Sequence, residues 1–330
     1  MRAWRVHRLG DPAEVLQLEE ADPPEPGPGQ VRVAVEATGL NFPDLLMIAG
    51  RYQDRPPLPF TPGLEVAGVV TAAGKGSSHK VGDRVIGAPV LPAGGLADEA
   101  LLPDDGCYPW PLEMPAADAA ALFITYQTAY VGLHRRAALK PGEVLLVHAG
   151  ASGVGSAAIQ LGKHAGATVI TTSGGPAKTA ACRELGAEVA LDHTTDDWVA
   201  AVKQATGGRG ADVIWDPVGG DVFDASRRCI AFEGRLVVVG FAGGRIPEAP
   251  ASHVLVKNYS VVGLHWGLYR RYEPALITET HDALLRLHAA GVVRPLIDRV
   301  LALEQAVEAL GLLATRQVTG KIVLRPRPGP

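Results

Sequence analysis

Residues 149–155 read Ala149-Gly150-Ala151-Ser152-Gly153-Val154-Gly155. Glycines let backbone amides approach a bound group closely, and the first amides of a helix have no partner inside it. A glycine turn that opens a helix can therefore hold an anion such as a pyrophosphate. The flanks fit this reading: Val144-Leu145-Leu146-Val147-His148 predicts a buried strand and residues 153–164 a helix. The spacing departs from G-x-G-x-x-G, and the competing reading is a ligand-free glycine loop. Four further strand–helix alternations downstream favour a dinucleotide.

The next strand bears on which dinucleotide. An acidic residue at its end, about 20 residues past the glycines, would bond a ribose 2′-hydroxyl. Here the strand closes on Thr171-Thr172-Ser173-Gly174-Gly175-Pro176, without a carboxylate, and Lys178 follows. A missing carboxylate removes repulsion toward a 2′-phosphate and a lysine adds attraction, which favours NADPH over NADH. The alternative for Lys178 is a solvated lysine in a first helical turn.

These residues need elements to position them. Beyond residue 116 the pattern alternates strand and helix, with strands at 168–172, 189–191, 211–215 and 235–239 and helices at 177–185, 196–206 and 223–230. That alternation predicts a parallel sheet covered on both faces. The first third reads instead as short strands, at 30–37, 65–70 and 84–87, separated by glycine and proline turns, which implies a small barrel-like domain. Residues 273–290 predict a long amphipathic helix and residues 320–324 a last strand, and the tail 326–330 is expected to be disordered.

A length of 330 residues suits two domains. With 47% hydrophobic and 20% charged residues the composition is that of an ordinary globular chain, and a net charge of -4, without a basic excess, argues against a nucleic-acid binder. No apolar run is long enough to span a bilayer. The cysteines, Cys107, Cys182 and Cys229, are far apart and odd in number, which fits a reducing, cytoplasmic setting.

Several segments carry a family resemblance: Thr38-Gly39-Leu40-Asn41-Phe42-Pro43-Asp44, Pro62-Gly63-Leu64-Glu65-Val66-Ala67-Gly68, Gly82-Asp83-Arg84-Val85, the stretch 150–163, Asp216-Pro217-Val218-Gly219-Gly220 and residues 234–240. In order and spacing the chain resembles the quinone oxidoreductase (zeta-crystallin-like) branch of the medium-chain dehydrogenases/reductases. The resemblance implies an α/β chain with a GroES-like β-barrel catalytic domain, residues 1–124 and 266–330, interrupted by a Rossmann doubly wound parallel sheet, residues 125–265. It also implies a cleft between the two for nicotinamide and substrate. By the same resemblance, Ser152, Gly153 and Val154 are backbone donors to the pyrophosphate, Ser173 and Gly174 lie at the adenosine ribose, and Lys178 meets the 2′-phosphate. His193 stands where relatives often carry a tyrosine. Thr128, Gly240, Phe241, Gly263 and Leu264 match positions beside the nicotinamide end of NADPH, Lys321 matches a lysine near the cofactor, and Asn41 and Tyr52 match pocket residues.

Zinc dehydrogenases of similar fold hold their metal with cysteine and histidine. The corresponding segments here are Gly39-Leu40-Asn41 and Gly63-Leu64-Glu65, which supply neither. No metal is therefore expected, and positioning must replace a Lewis acid. A quinone or an α,β-unsaturated carbonyl needs only a hydride at one carbon and a donor for its oxygen, and water can supply the proton. Asn41 is either that donor or a turn asparagine, and Tyr52 either a pocket wall or donor or a surface tyrosine. The readings that follow are an NADPH-dependent quinone reductase, a reductase of enones or enoyl thioesters, or a non-catalytic NADPH-binding protein. The resemblance also implies a homodimer: Tyr259-Ser260-Val261-Val262-Gly263 would pair edge to edge with its copy, or serve as an internal edge strand.

Overall fold

Valine- and isoleucine-rich runs cut by glycine and proline turns dictate many short strands, and the computed structural model, which describes residues 1–326, sorts them into two compact units. One comprises Met1–Ile124 with the chain from Pro295 onward; the other is Thr125–Arg294. Of the tail expected to be disordered, residues 327–330 lie outside the described residues.

The first unit opens with β1 (Arg2–Val6), α1 (Pro12–Val15), β2 (Leu16–Glu20), β3 (Gln30–Gly39), α2 (Phe42–Ile48), β4 (Val66–Ala73), β5 (Arg84–Gly87), β6 (Glu99–Pro103) and β7 (Cys107–Pro109). The period-two alternation read in residues 30–37 is realised in β3: Val31, Val33 and Val35 are buried and face Val66, Val70, Val85 and Leu102 in one core. β3 pairs antiparallel with β4 and β6. The chain then enters α3 (Ala116–Tyr130), which continues into a six-residue π-helical turn, Val131–Arg136.

In the second unit every strand is followed by a helix: β8 (Val144–Val147), α4 (Gly153–His164), β9 (Thr168–Ser173), α5 (Pro176–Glu184), β10 (Val189–Asp192), α6 (Trp198–Ala205), β11 (Ala211–Asp216), α7 (Gly220–Ser226), β12 (Ile230–Val238), α8 (Ala251–Lys257) and β13 (Ser260–Gly263). All neighbouring pairs are parallel, in the order β10-β9-β8-β11-β12-β13. The order reverses between β8 and β11, the switch point at which a doubly wound sheet opens a crevice. β8 is buried at every position, as its unbroken apolar run requires. The helix expected at 223–230 is shifted: Gly219, with φ 70°, starts α7 three residues earlier, and Ile230 already pairs with Ala211.

After β13 come α9 (Tyr269–Tyr272) and α10 (Pro274–Ala289), whose buried Ile277, Thr280, His281 and Leu284 form one stripe. The expected return to the first domain at residue 266 differs from the observed return at Pro295. The cause is in the contacts of Arg294: its N–H donates to Gln160 Oε1 at 2.8 Å, and its carbonyl accepts from Gln160 Nε2 at 3.0 Å and Tyr126 Oη at 2.7 Å. These tie the end of this segment to α4 and α3. The chain then completes the first unit with β14 (Ile297–Ala302), α11 (Ala306–Ala314) and β15 (Lys321–Arg325). β15 pairs with the end of β3, Val323 opposite Gly39, and closes the strand order β14-β15-β3-β4-β5-β7. No helix among the described residues is long and apolar enough to cross a membrane.

Candidate functional site

Because the six strands of the second unit run parallel, their carboxyl ends share one sheet edge, and the sequence-predicted cofactor residues of this unit fall mostly there. The turn after β8 is tight. A Cβ at Gly150 would lie 2.0 Å from Thr171 Oγ1, and one at Gly155 would lie 2.1 Å from the Ala149 carbonyl, so neither position admits a side chain. Ala149 takes a left-handed φ of 51°, a conformation unfavourable for alanine that lets the chain turn into α4. Ser152 caps α4: its Oγ accepts from Gly155 N at 3.1 Å, and its own N–H donates to Ala149 O at 2.9 Å. The amides of Gly153 and Val154 have no partner among the described residues. They are the open donors at a helix start, where the dipole also favours an anion.

The next loop closes β9. Ser173 and Thr172 are buried, Gly174 lies beside the His193 ring, to which a Cβ would come within 3.2 Å, and His193 N donates to Ser173 O. Lys178 stands half-buried in the first turn of α5, close enough for its charge to act on the Cys182 thiol. A carboxylate is present here after all, from the neighbouring strand. Asp192, the last residue of β10, accepts from Gly175 N at 3.0 Å, Thr194 N at 3.0 Å and Thr194 Oγ1 at 2.7 Å, all on Oδ1. These donors hold its carboxyl down to about 2, so it is charged at any working pH. Inspection of β9 alone could not find it; the signal is an aspartate two residues before a threonine, an Asx-turn pattern at a strand end.

At the far end of the edge, Asp216 Oδ1 accepts from Val218 N at 2.8 Å and Gly219 N at 2.9 Å, and Phe241 packs over Gly219. Gly240 and Phe241 follow β12, Gly263 ends β13 and Leu264 follows it, and Leu264 N donates to Val238 O. Thr128 is buried near the end of α3. Just below the glycine turn, His148 is fully enclosed between Thr172 Oγ1 at 2.9 Å and Ser226 Oγ at 2.8 Å. Ser226 donates its hydrogen to Val222 O, so His148 Nε2 must be the donor to Ser226 and Nδ1 the acceptor from Thr172. Burial, with His193 nearby, pushes its pKa down to about 3.

The remaining candidates cluster in the first unit. The pairing of β15 with β3 sets Leu40 N on Ile322 O, which delivers Lys321 to Asn41. Lys321 Nζ donates to Asn41 Oδ1 and to Glu65 Oε2, each at 2.8 Å, with both ends of the ion pair buried. Asn41 Nδ2 donates to Gly39 O and Glu65 Oε2 at 3.0 Å, and Glu65 Oε1 accepts from Ile124 N at 2.7 Å. Gly39 is required here because a Cβ would meet the Ala120 carbonyl at 2.0 Å. Asp44, buried at the start of α2, accepts from Asn41 N and Gly63 N, and burial raises its carboxyl to about 6 against those donors and Lys321. The Asn41 amide, read as a substrate donor, thus has both its hydrogens engaged inside the protein. Tyr52 is half-buried, packed on the core of this unit, and its hydroxyl has no hydrogen-bond partner among the described residues. Burial and the charges of Asp54 and Asp44 push its pKa up to about 12, so it remains a donor.

The donor set of this cluster does not fit zinc. Of its two carboxylates, Glu65 is neutralised by an ammonium and Asp44 accepts from two backbone amides, and neither cysteine nor histidine is among their partners. Among the described residues no group of three or more His, Cys, Asp or Glu is arranged to hold a metal.

Two family models match the chain: one described as an alcohol dehydrogenase GroES-like domain over residues 27–112, the other as a zinc-binding dehydrogenase over residues 153–280. The quinone oxidoreductase-like protein 2 homolog of Nematostella vectensis is 40% identical over 99% of this chain and 89% of its own length. The Escherichia coli quinone oxidoreductase complexed with NADPH superimposes with a TM-score of 0.93 at 30% identity, covering 99% of this chain and 100% of that one. CurK enoyl reductase gives a TM-score of 0.87 at 27% identity, with 98% of each chain covered.

Proposed function

Because the chain belongs to the quinone oxidoreductase family of zinc-independent medium-chain dehydrogenases/reductases, we propose that it binds NADPH and reduces quinones by hydride transfer, without zinc. The observation that carries this reading is the start of α4, where the open amides of Gly153 and Val154 follow a turn too tight for side chains at Gly150 and Gly155. Those amides would hold the diphosphate, with the Ser152 hydroxyl beside them, and Lys178 would meet the 2′-phosphate next to Ser173, Gly174 and His193. Gly240, Phe241, Gly263, Leu264 and Thr128 would flank the nicotinamide end. Bound NADPH supplies the hydride. Tyr52, kept protonated, is the donor for the acceptor's oxygen, and water replaces the proton. Asn41 acts through Lys321, which it holds together with Glu65; this buried, mutually neutralised pair stands in the segment where zinc relatives carry metal ligands.

The likeness to an enoyl reductase supports a second reading, in which the acceptor is an enone or an enoyl thioester. Both readings predict turnover of NADPH without added metal. The first expects faster oxidation with 9,10-phenanthrenequinone or 1,4-benzoquinone than with 2-alkenals or crotonyl-CoA; the reverse ranking selects the second. Loss of activity on chelation, restored by zinc, contradicts both, and cofactor binding without turnover of any acceptor makes the protein a non-catalytic NADPH binder. We propose a homodimer as well. Among the described residues β13 is an edge strand paired only with β12, with Ser260 and Gly263 exposed, and could extend the sheet across a two-fold axis. Gel filtration at the monomer mass would refute this.

A further inference from the structure

The loop that closes β9 is where a doubly wound sheet seats the adenosine ribose, and an acid there selects the unphosphorylated sugar. β9 itself supplies none, but β10 does. Asp192 Oδ1 is 3.0 Å from Gly175 N, one residue beyond Gly174, and the same oxygen is held by both donors of Thr194. Lys178 and His193 stand on the same loop cluster, and Asp196 follows in the turn, its carboxylate accepting from Asp192 N at 2.8 Å. The ribose end is thus lined by charges of both signs rather than by a purely basic set. We infer that Asp192, reaching across from β10, is a specificity-determining residue that limits the preference for a 2′-phosphate, so that the chain accepts NADH as well as NADPH. The inference rests on the cofactor site proposed above.

The physics is a competition between like and opposite charges at a partly exposed position. Lys178 attracts a 2′-phosphate; Asp192, held on the Gly175 amide three residues before Lys178, repels it and leaves a 2′-hydroxyl an acceptor. A merely structural Asp192, present only to tie down the Gly174-Gly175 turn, would make no such distinction. Asp192→Asn separates the two roles, because asparagine keeps an Oδ1 acceptor for Gly175 and Thr194 and loses only the charge.

The test is a fluorescence titration of wild type, Asp192→Asn and Lys178→Ala with NADPH and NADH, which needs no acceptor. Wild type should take up both nucleotides. The affinity ratio NADPH:NADH should rise roughly three- to five-fold in Asp192→Asn, the scale of an exposed charge contact, and fall in Lys178→Ala. The gain should shrink at 1 M salt, where the screening length is about 3 Å. An unchanged ratio in Asp192→Asn, with both nucleotides bound, overturns the inference and leaves the cofactor site standing. Failure of wild type to bind either nucleotide overturns the site and the inference together.

Discussion

Single residues account for the most local features of the site. Lys321 and Glu65 form a buried ion pair whose value depends on both ends being present: removing one leaves an uncompensated charge, removing both need not. Lys321→Met should therefore lower unfolding stability by about 3–5 kcal/mol, and adding Glu65→Gln should restore most of the loss. Equal destabilisation by the single and double variants, in urea unfolding, would show that the pair is not the unit that matters. The sequence and the family resemblance offered Asn41 and Lys321 as separate candidates, and a contact between residues 41 and 321 cannot be read from spacing. It exists because β15 pairs with the end of β3. Asp192 escaped notice for the same reason, since its loop partner belongs to another strand.

Elements were the most legible level. The buried run at 144–147, the glycine turn and the helix after it occur where hydrophobic pattern and turn chemistry put them, because a central parallel strand and a helix start each have strong local signatures. The short α8 and the true start of α7 carry no such signature; α8 buries no residue at all, so no apolar stripe announces it. One element junction has a consequence for acid stability. His148, at the end of β8, has a folded pKa near 3 against an ordinary 6.5, so between those values the unfolded chain binds a proton that the folded one refuses. Its contribution is complete above about pH 6.5 and is lost as pH falls, by up to about 1.4 kcal/mol per pH unit. Asp44, with its pKa raised to about 6, works in the opposite direction, so the comparison must be between wild type and His148→Gln. Unfolding midpoints from pH 5 to 8 should show a shallower acid slope in the variant; parallel curves would contradict the assignment.

At the scale of the whole molecule, length and the change of pattern near residue 116 announced two units, and the family resemblance implied that one interrupts the other. The second crossing was harder to foresee. Residues 266–294 contain no strand to mark a sheet, and contacts such as those of Arg294 to Gln160 and Tyr126 and of Glu273 to Arg135 show which unit claims them. The account as a whole depends on an anion-gripping helix start in the second unit. Calorimetric titration of NADPH into the protein tests it most directly, since it requires neither the right acceptor nor turnover. The account predicts saturable uptake of one NADPH per chain, weakened when Gly155→Ala forces a methyl against the Ala149 carbonyl. Absence of binding by the wild-type chain, at any NADPH concentration up to millimolar, would contradict it.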